Sequence, residues 1–155
     1  MKISKKNFIL IIFPILFLIS CGYTPMYKDL KNLDFSIIVG ETSGDRSINN
    51  KIKSNLNSYQ LDEANKKYNI SFEPDYNKKI IAKNTTGAAT EYKIILNIKF
   101  LITSLDLNKE LNFTESFNMQ SMSDKLEEQD YENNIKDSLS NIITRKLVLQ
   151  LSQAK

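Results

Sequence analysis

The run from Tyr92 to Ile102 limits the fold of this chain more than any other feature: Tyr92, Ile94, Leu96, Ile98, Phe100 and Ile102 occupy every second position. Apolar residues at a period of two share one face of an extended strand, because successive side chains leave the pleat on opposite sides. Six in succession require a central strand with one buried face. Between them, Glu91, Lys93, Asn97 and Lys99 point to water or to a partner, while Ile95 and Leu101 are apolar exceptions that a purely solvated face would not need. The buried face must be covered, and two other stretches of the chain have the period to do it.

Ile48, Ile52, Leu56 and Tyr59 recur at i, i+4, i+8 and i+11 and so lie on one side of a helix, which Asp45 or Ser47 can cap. Near the far end of the chain Tyr131, Ile135, Leu139, Ile142 and Leu149 fall within about a quarter of a helix circumference at about 100° per residue. Asp124 followed by Glu127 reads as a capping box for that long helix. The remaining regular segments are strands. Phe35, Ile37 and Val39 form a first one, ended by the turn-rich stretch Gly40 to Arg46. Tyr68, Ile70 and Phe72 form a second, expected to bend or break at Pro74 and to resume over residues 78–83. Asn84 to Gly87 is a turn and Leu105 to Glu110 a hairpin connection. Leu111, Phe113, Phe117 and Met119 then alternate with polar residues in a strand antiparallel to the third. The order is β-α-β-β-β-α, an α+β two-layer sandwich with both amphipathic helices on one face of a four-stranded, mostly antiparallel sheet.

The start of the chain has a different logic. A dozen apolar residues from Phe8 to Ile19 follow Lys2, Lys5 and Lys6, the layout of an export signal, and are too few for a membrane span of about 20 residues. Leu18, Ile19, Ser20 and Cys21 then stand where cleavage falls, and this resembles a bacterial lipobox whose cysteine is acylated and becomes the first mature residue. Cys21 is the single cysteine of the chain, so no disulfide can form within it. Residues 1–20 are read as the signal, 21–32 as a lipidated tether containing Gly22 and Pro25, and 33–155 as one domain. Of the 21 basic residues three lie in the signal, which leaves 18 against 18 acidic residues. A balanced mature chain offers no net charge for binding nucleic acid.

Histidine is absent, which removes the commonest general base and the commonest metal ligand. No serine has a recognisable activating partner, and the four glycines are too scattered for a phosphate loop. Asp124, Glu127, Glu128, Asp130 and Glu132 cluster where a helix begins, a position the helix dipole favours for negative charge. The reading is a non-enzyme with no cofactor and no metal. One local basic cluster stands out, Lys78, Lys79 and Lys83 beside the Asn84 turn, either a solvated hairpin tip or a contact for an anionic ligand.

The segment Cys21, Gly22, Tyr23, Thr24, Pro25, Met26, Tyr27 resembles the mature start of the LPS-assembly lipoprotein LptE family, where a lipidated Cys-Gly precedes an aromatic, a proline, an aliphatic and a tyrosine. The order of elements, the Thr90, Glu91, Tyr92 opening of the long strand and the Glu127 to Asp130 opening of the last helix follow that family too. The resemblance implies a non-catalytic outer-membrane lipoprotein, anchored through Cys21 on the periplasmic side, that plugs and helps assemble the LptD β-barrel and supports lipopolysaccharide transport. The lysine cluster would then meet lipopolysaccharide. No basic contact residue carries over directly, because lysine and asparagine stand where relatives often use arginine. An accessory lipoprotein of another assembly or secretion complex is the alternative. Several acyl chains at about 0.8 kcal/mol per buried methylene would hold such a protein durably. Cys21→Ala is expected to abolish incorporation of labelled fatty acid and to leave the domain folded, since no proposed core position precedes Phe35; retained label would overturn the lipobox reading.

Overall fold

The computed structural model describes residues 34–153, which lie within one compact unit, Leu33–Lys155. The signal, Cys21 and the tether fall outside the described residues. The elements are β1 (Phe35–Thr42), α1 (Arg46–Asn57), β2 (Lys66–Lys83), β3 (Ala89–Thr103), β4 (Asn108–Gln120) and α2 (Lys125–Gln153). They build a four-stranded sheet in the order β1-β2-β3-β4. Parallel neighbours need a crossover, and α1 supplies it between β1 and β2. The other two junctions are antiparallel hairpins. The expected α+β sandwich and its β-α-β-β-β-α order are what the structure has.

Ile94, Leu96, Ile98, Phe100 and Ile102 of β3 are all fully buried, and Tyr92 is half-buried at the end of the row. Ile48, Ile52 and Leu56 of α1 are equally inaccessible and join the same core as Ile37, Ile70 and Phe72. Asp45 is the residue that caps α1, its carboxylate accepting from the Ile48 N–H at 2.9 Å. Tyr59 lies beyond the end of α1 and packs against the core from there. Before the cap, Gly44 adopts φ +84°, and a Cβ on it would stand 2.6 Å from the Pro74 carbonyl, so only glycine fits.

Pro74 does not break β2. The strand runs through it, with Pro74 paired to Ile98. Phe72 turns its carbonyl toward β1, where it accepts from Ser43 N–H at 3.3 Å, and Pro74, two residues on, faces the same way. The ladder with β1 has ended by then, its last pair being Thr42 with Phe72. The missing proline N–H therefore costs no hydrogen bond. The β3–β4 connection is also tighter than expected. Ser104 N–H donates to Leu107 O at 2.7 Å and β4 already begins at Asn108.

The buried stripe of α2 differs from the expected one. Ile135 and Leu139 are buried, but the row continues through Ile143, Leu147 and Leu151, while Ile142 is half-buried and Leu149 is 59% exposed. A step of four residues turns about 40°, so the row winds about 160° around the helix between Ile135 and Leu151. A helix of 29 residues is about 44 Å long. Over that distance the twist of the sheet beneath rotates the contact surface, and a straight stripe cannot follow it. Ile143→Ala is expected to lower the unfolding free energy by about 2–5 kcal/mol in urea titration. Leu149→Ala should stay within about 0.5 kcal/mol of the parent; the reverse ranking would show that the straight stripe is the buried one.

Candidate functional site

Alternation along β2 sends Lys78 and Lys79 to opposite faces of the sheet. Lys78 pairs in register with the buried Ile94, and Lys79 with Lys93. Lys78 therefore enters the space between the sheet and the first turns of α2. Its ammonium lies 2.7 Å from Glu132 Oε2, 3.5 Å from Glu128 Oε1 and 4.2 Å from the centre of the Tyr92 ring. It is the hub of a network in the helical layer and is not part of a solvated tip.

Both carboxylates are fully engaged. Glu132 Oε1 accepts from Tyr76 Oη at 2.6 Å and faces Lys136 Nζ at 3.1 Å, and the Lys136 ammonium lies 4.4 Å from the centre of the Tyr76 ring. Glu128 Oε2 accepts from Met122 N–H and Ser121 Oγ, each at 2.9 Å, and from Lys125 Nζ at 3.2 Å. The Met122 N–H, with Ser121 and Lys125, outweighs burial and holds the Glu128 carboxyl down at about 2. Burial works against charge at Glu132 too, but Lys78, Tyr76 and Lys136 bring it down to about 2. Lys78 is raised, because the two glutamates overcome the burial that would lower it. Burial, then the hydrogen bond to Glu132, pushes the Tyr76 hydroxyl well above its usual range.

The same pair completes the start of α2. Asp124 Oδ1 accepts from Leu126 N–H at 2.8 Å and Glu127 N–H at 3.3 Å, as a cap should. The arm that reaches back to the preceding backbone comes from Glu128 and not from Glu127. The acidic cluster thus has two functions beyond the helix dipole: closing the cap and fastening α2 to β2. Carboxylates that stay ionised and have every oxygen occupied are poor proton donors, and no described residues form a group of three metal-ligating side chains. The arrangement acts as a staple.

Lys79 and Lys83 remain exposed. Lys79 stands directly opposite Lys93 on the face that carries no helix, with Asn118 of β4 next across the sheet. Neither lysine has a carboxylate within ion-pair distance among the described residues. Like charges directly opposite one another are unfavourable unless something lies between them. Lys93 was visible in sequence only as one polar position on the outer face of β3; the register with β2 is what sets it against Lys79. The turn beside them is rigid. Asn84 Oδ1 accepts from Thr86 N–H at 3.0 Å and Ala88 N–H at 2.9 Å, and Gly87 takes φ +86°.

With this geometry in view, the fold can be set beside solved structures that resemble it. The crystal structure of rare lipoprotein B from Shewanella oneidensis superposes with a TM-score of 0.56 over 74% of this chain and 94% of that one, at 10% identity. A minor lipoprotein from Acinetobacter baumannii superposes at 0.49 over 75% and 92%, at 19% identity. No family model and no curated protein matches the sequence. At such identities the first likeness establishes the α+β fold and nothing finer.

The staple predicts an acid limit. Glu128 and Glu132 titrate at about 2 in the folded protein against an ordinary 4.5, so their contribution to stability is complete above pH 4.5 and is lost as pH falls from there toward 2. Glu132→Gln should cost about 1–3 kcal/mol at pH 7 and flatten the fall in stability over that window, read from urea midpoints at successive pH values. An unchanged acid limb would show that the network does not hold the fold.

Proposed function

We propose that this protein is a lipid-anchored, non-catalytic subunit of an outer-membrane lipopolysaccharide translocon, seated in the lumen of the LptD β-barrel and needed for that barrel's assembly. The observation that carries the reading is the segment Cys21 to Tyr27, a lipobox cysteine followed by the LptE-like Gly-Tyr-Thr-Pro-Met-Tyr, placed ahead of this α+β sandwich. A fold shared with rare lipoprotein B supports it. So does the helix-free face of the sheet, where the cross-strand rows Asp75–Asn97–Thr114, Asn77–Ile95–Ser116 and Lys79–Lys93–Asn118 are polar at every position but Ile95. A polar face of this kind suits the polar interior of a large barrel.

Within this reading Lys79, Lys83 and Lys93 are the groups for lipopolysaccharide phosphates. They lie at the end of the sheet remote from Phe35, where β1 begins. Lys78, the other member of the sequence cluster, is held by Glu132 and serves the fold.

Two measurements test the proposal. Affinity isolation from detergent-solubilised envelopes is expected to recover a large β-barrel together with lipopolysaccharide; recovery of a different assembly or secretion complex would reassign the protein to that complex. Replacing Lys79, Lys83 and Lys93 together by glutamine should weaken lipopolysaccharide binding several-fold and flatten its salt dependence, because exposed ionic contacts are screened over about 8 Å at physiological salt. Equal affinity and an equal salt slope would leave these lysines as solvated surface.

A further inference from the structure

The two parts of α2 are held to the domain by different forces. From Ile135 to Leu151 eight of its residues are buried, six of them apolar, and they join the core under both helices. Residues 125–134 have another character. The single buried side chain among them is that of Glu128, while Lys125, Leu126, Glu127, Gln129, Asp130 and Asn134 are exposed. Tyr131 is half-buried and adds an edge-on contact with Phe117 at 6.3 Å, a ring that is itself 41% exposed. Charge therefore supplies most of what docks these first turns.

Every polar contact that crosses from the sheet to these turns ends on Glu128 or Glu132. Lys78 and Tyr76 come from β2, Ser121 Oγ and the Met122 N–H from the residues that follow β4, and Lys125 and Lys136 from α2 itself. The Tyr92 ring of β3 faces the Lys78 ammonium, and Asp45 at the start of α1 adds negative charge near Tyr76. Two carboxylates thus carry the joint. Ionic contacts of this kind are lost together once a carboxylate leaves, whereas the apolar stripe beyond Ile135 does not depend on them. Under the first turns Ile94 and Met119, the register partners of Lys78 and Tyr92, are fully buried.

We propose that residues 125–134 of α2 form a strap that opens as a unit over β2 and β3, with its hinge at Ile135, while the rest of the helix and the sheet stay closed. Opening releases Lys78 and uncovers Ile94 and Met119. The strap thereby controls access to an amphipathic surface that the closed domain hides. Acid is one trigger. Glu128 and Glu132 titrate at about 2 when docked against an ordinary 4.5, so as pH falls from 4.5 toward 2 they take up protons and docking weakens, leaving Lys78, Lys125 and Lys136 to repel one another. This inference rests on the staple and is independent of the barrel reading.

The test is amide hydrogen exchange, read by mass spectrometry on the full chain purified from membranes in detergent and corrected for the chemical exchange rate. At pH 7 the amides of residues 129–134 should exchange at least about tenfold faster than those of residues 139–151. Glu132→Gln should raise exchange at 129–134 at least about tenfold further, and lowering the pH from about 5 to about 3 should act on the parent chain in the same direction. Ile143→Ala gives the opposite pattern. It weakens the core under the rest of the helix, so it should speed exchange at 139–151 and leave 129–134 unchanged, because local opening does not pass through the unfolded state. Equal protection along the whole of α2, or an Ile143→Ala effect of the same size on both segments, overturns the proposal, since the helix then opens in one piece. Exchange at 129–134 that Glu132→Gln does not alter overturns it as well, because the staple is then not what holds the strap.

Discussion

Everything else in the domain depends on the burial of one face of β3. Ile94, Leu96, Ile98, Phe100 and Ile102 are inaccessible to water, which at roughly 1.5–3 kcal/mol for each large apolar side chain is a large driving force from one strand. A strand of this kind cannot stand alone. It needs partners on both edges to satisfy its backbone and a layer above to cover its side chains. β2 and β4 provide the first; α1 and α2 provide the second. The Phe72, Phe100 and Phe113 rings, with centroids 5.7 and 6.0 Å apart, link the three strands at one level of the core.

The ionic staple at the start of α2 solves a problem created by that arrangement. A helix of 29 residues extends over a sheet that twists, and its first turns lie above Tyr76, Lys78 and Tyr92. Burial of two carboxylates is unfavourable unless each is paired and hydrogen-bonded. Here every partner is present: three lysines, two hydroxyls and one backbone N–H, with the Tyr92 and Tyr76 rings facing two of the ammonium groups. The result is a directional joint at a place where hydrophobic packing alone would allow the helix to slide. It also withdraws Lys78 from the surface, so the two lysines left facing one another on the other side of the sheet are Lys79 and Lys93.

The layer order, the strand and helix periods, the Asn84 turn and the Asp45 and Asp124 caps could all be read in one dimension, because each depends on neighbours within about four positions along the chain. A period of two or of 3.6 is a local property, and so is a side-chain oxygen within reach of an N–H three residues ahead. The resemblance of the Cys21 segment to a lipobox likewise needs no fold to be recognised. The ambiguity of the sequence began where a residue's role depends on what another element places beside it.

Lys78 and Glu132 are 54 positions apart, and nothing local couples them. Pro74 was expected to bend or break β2, and only the length of β1 makes its missing donor harmless. Leu149 satisfies the helical period as well as Leu139 does, yet one is exposed and the other buried, because sheet twist rotates the contact face along a long helix. The sequence by itself determined which segments are strands and which are helices, since alternation and capping act over short range. Only the tertiary structure decided which charges are spent inside the fold and which remain at its surface, because register and twist, not spacing, set which side chains meet.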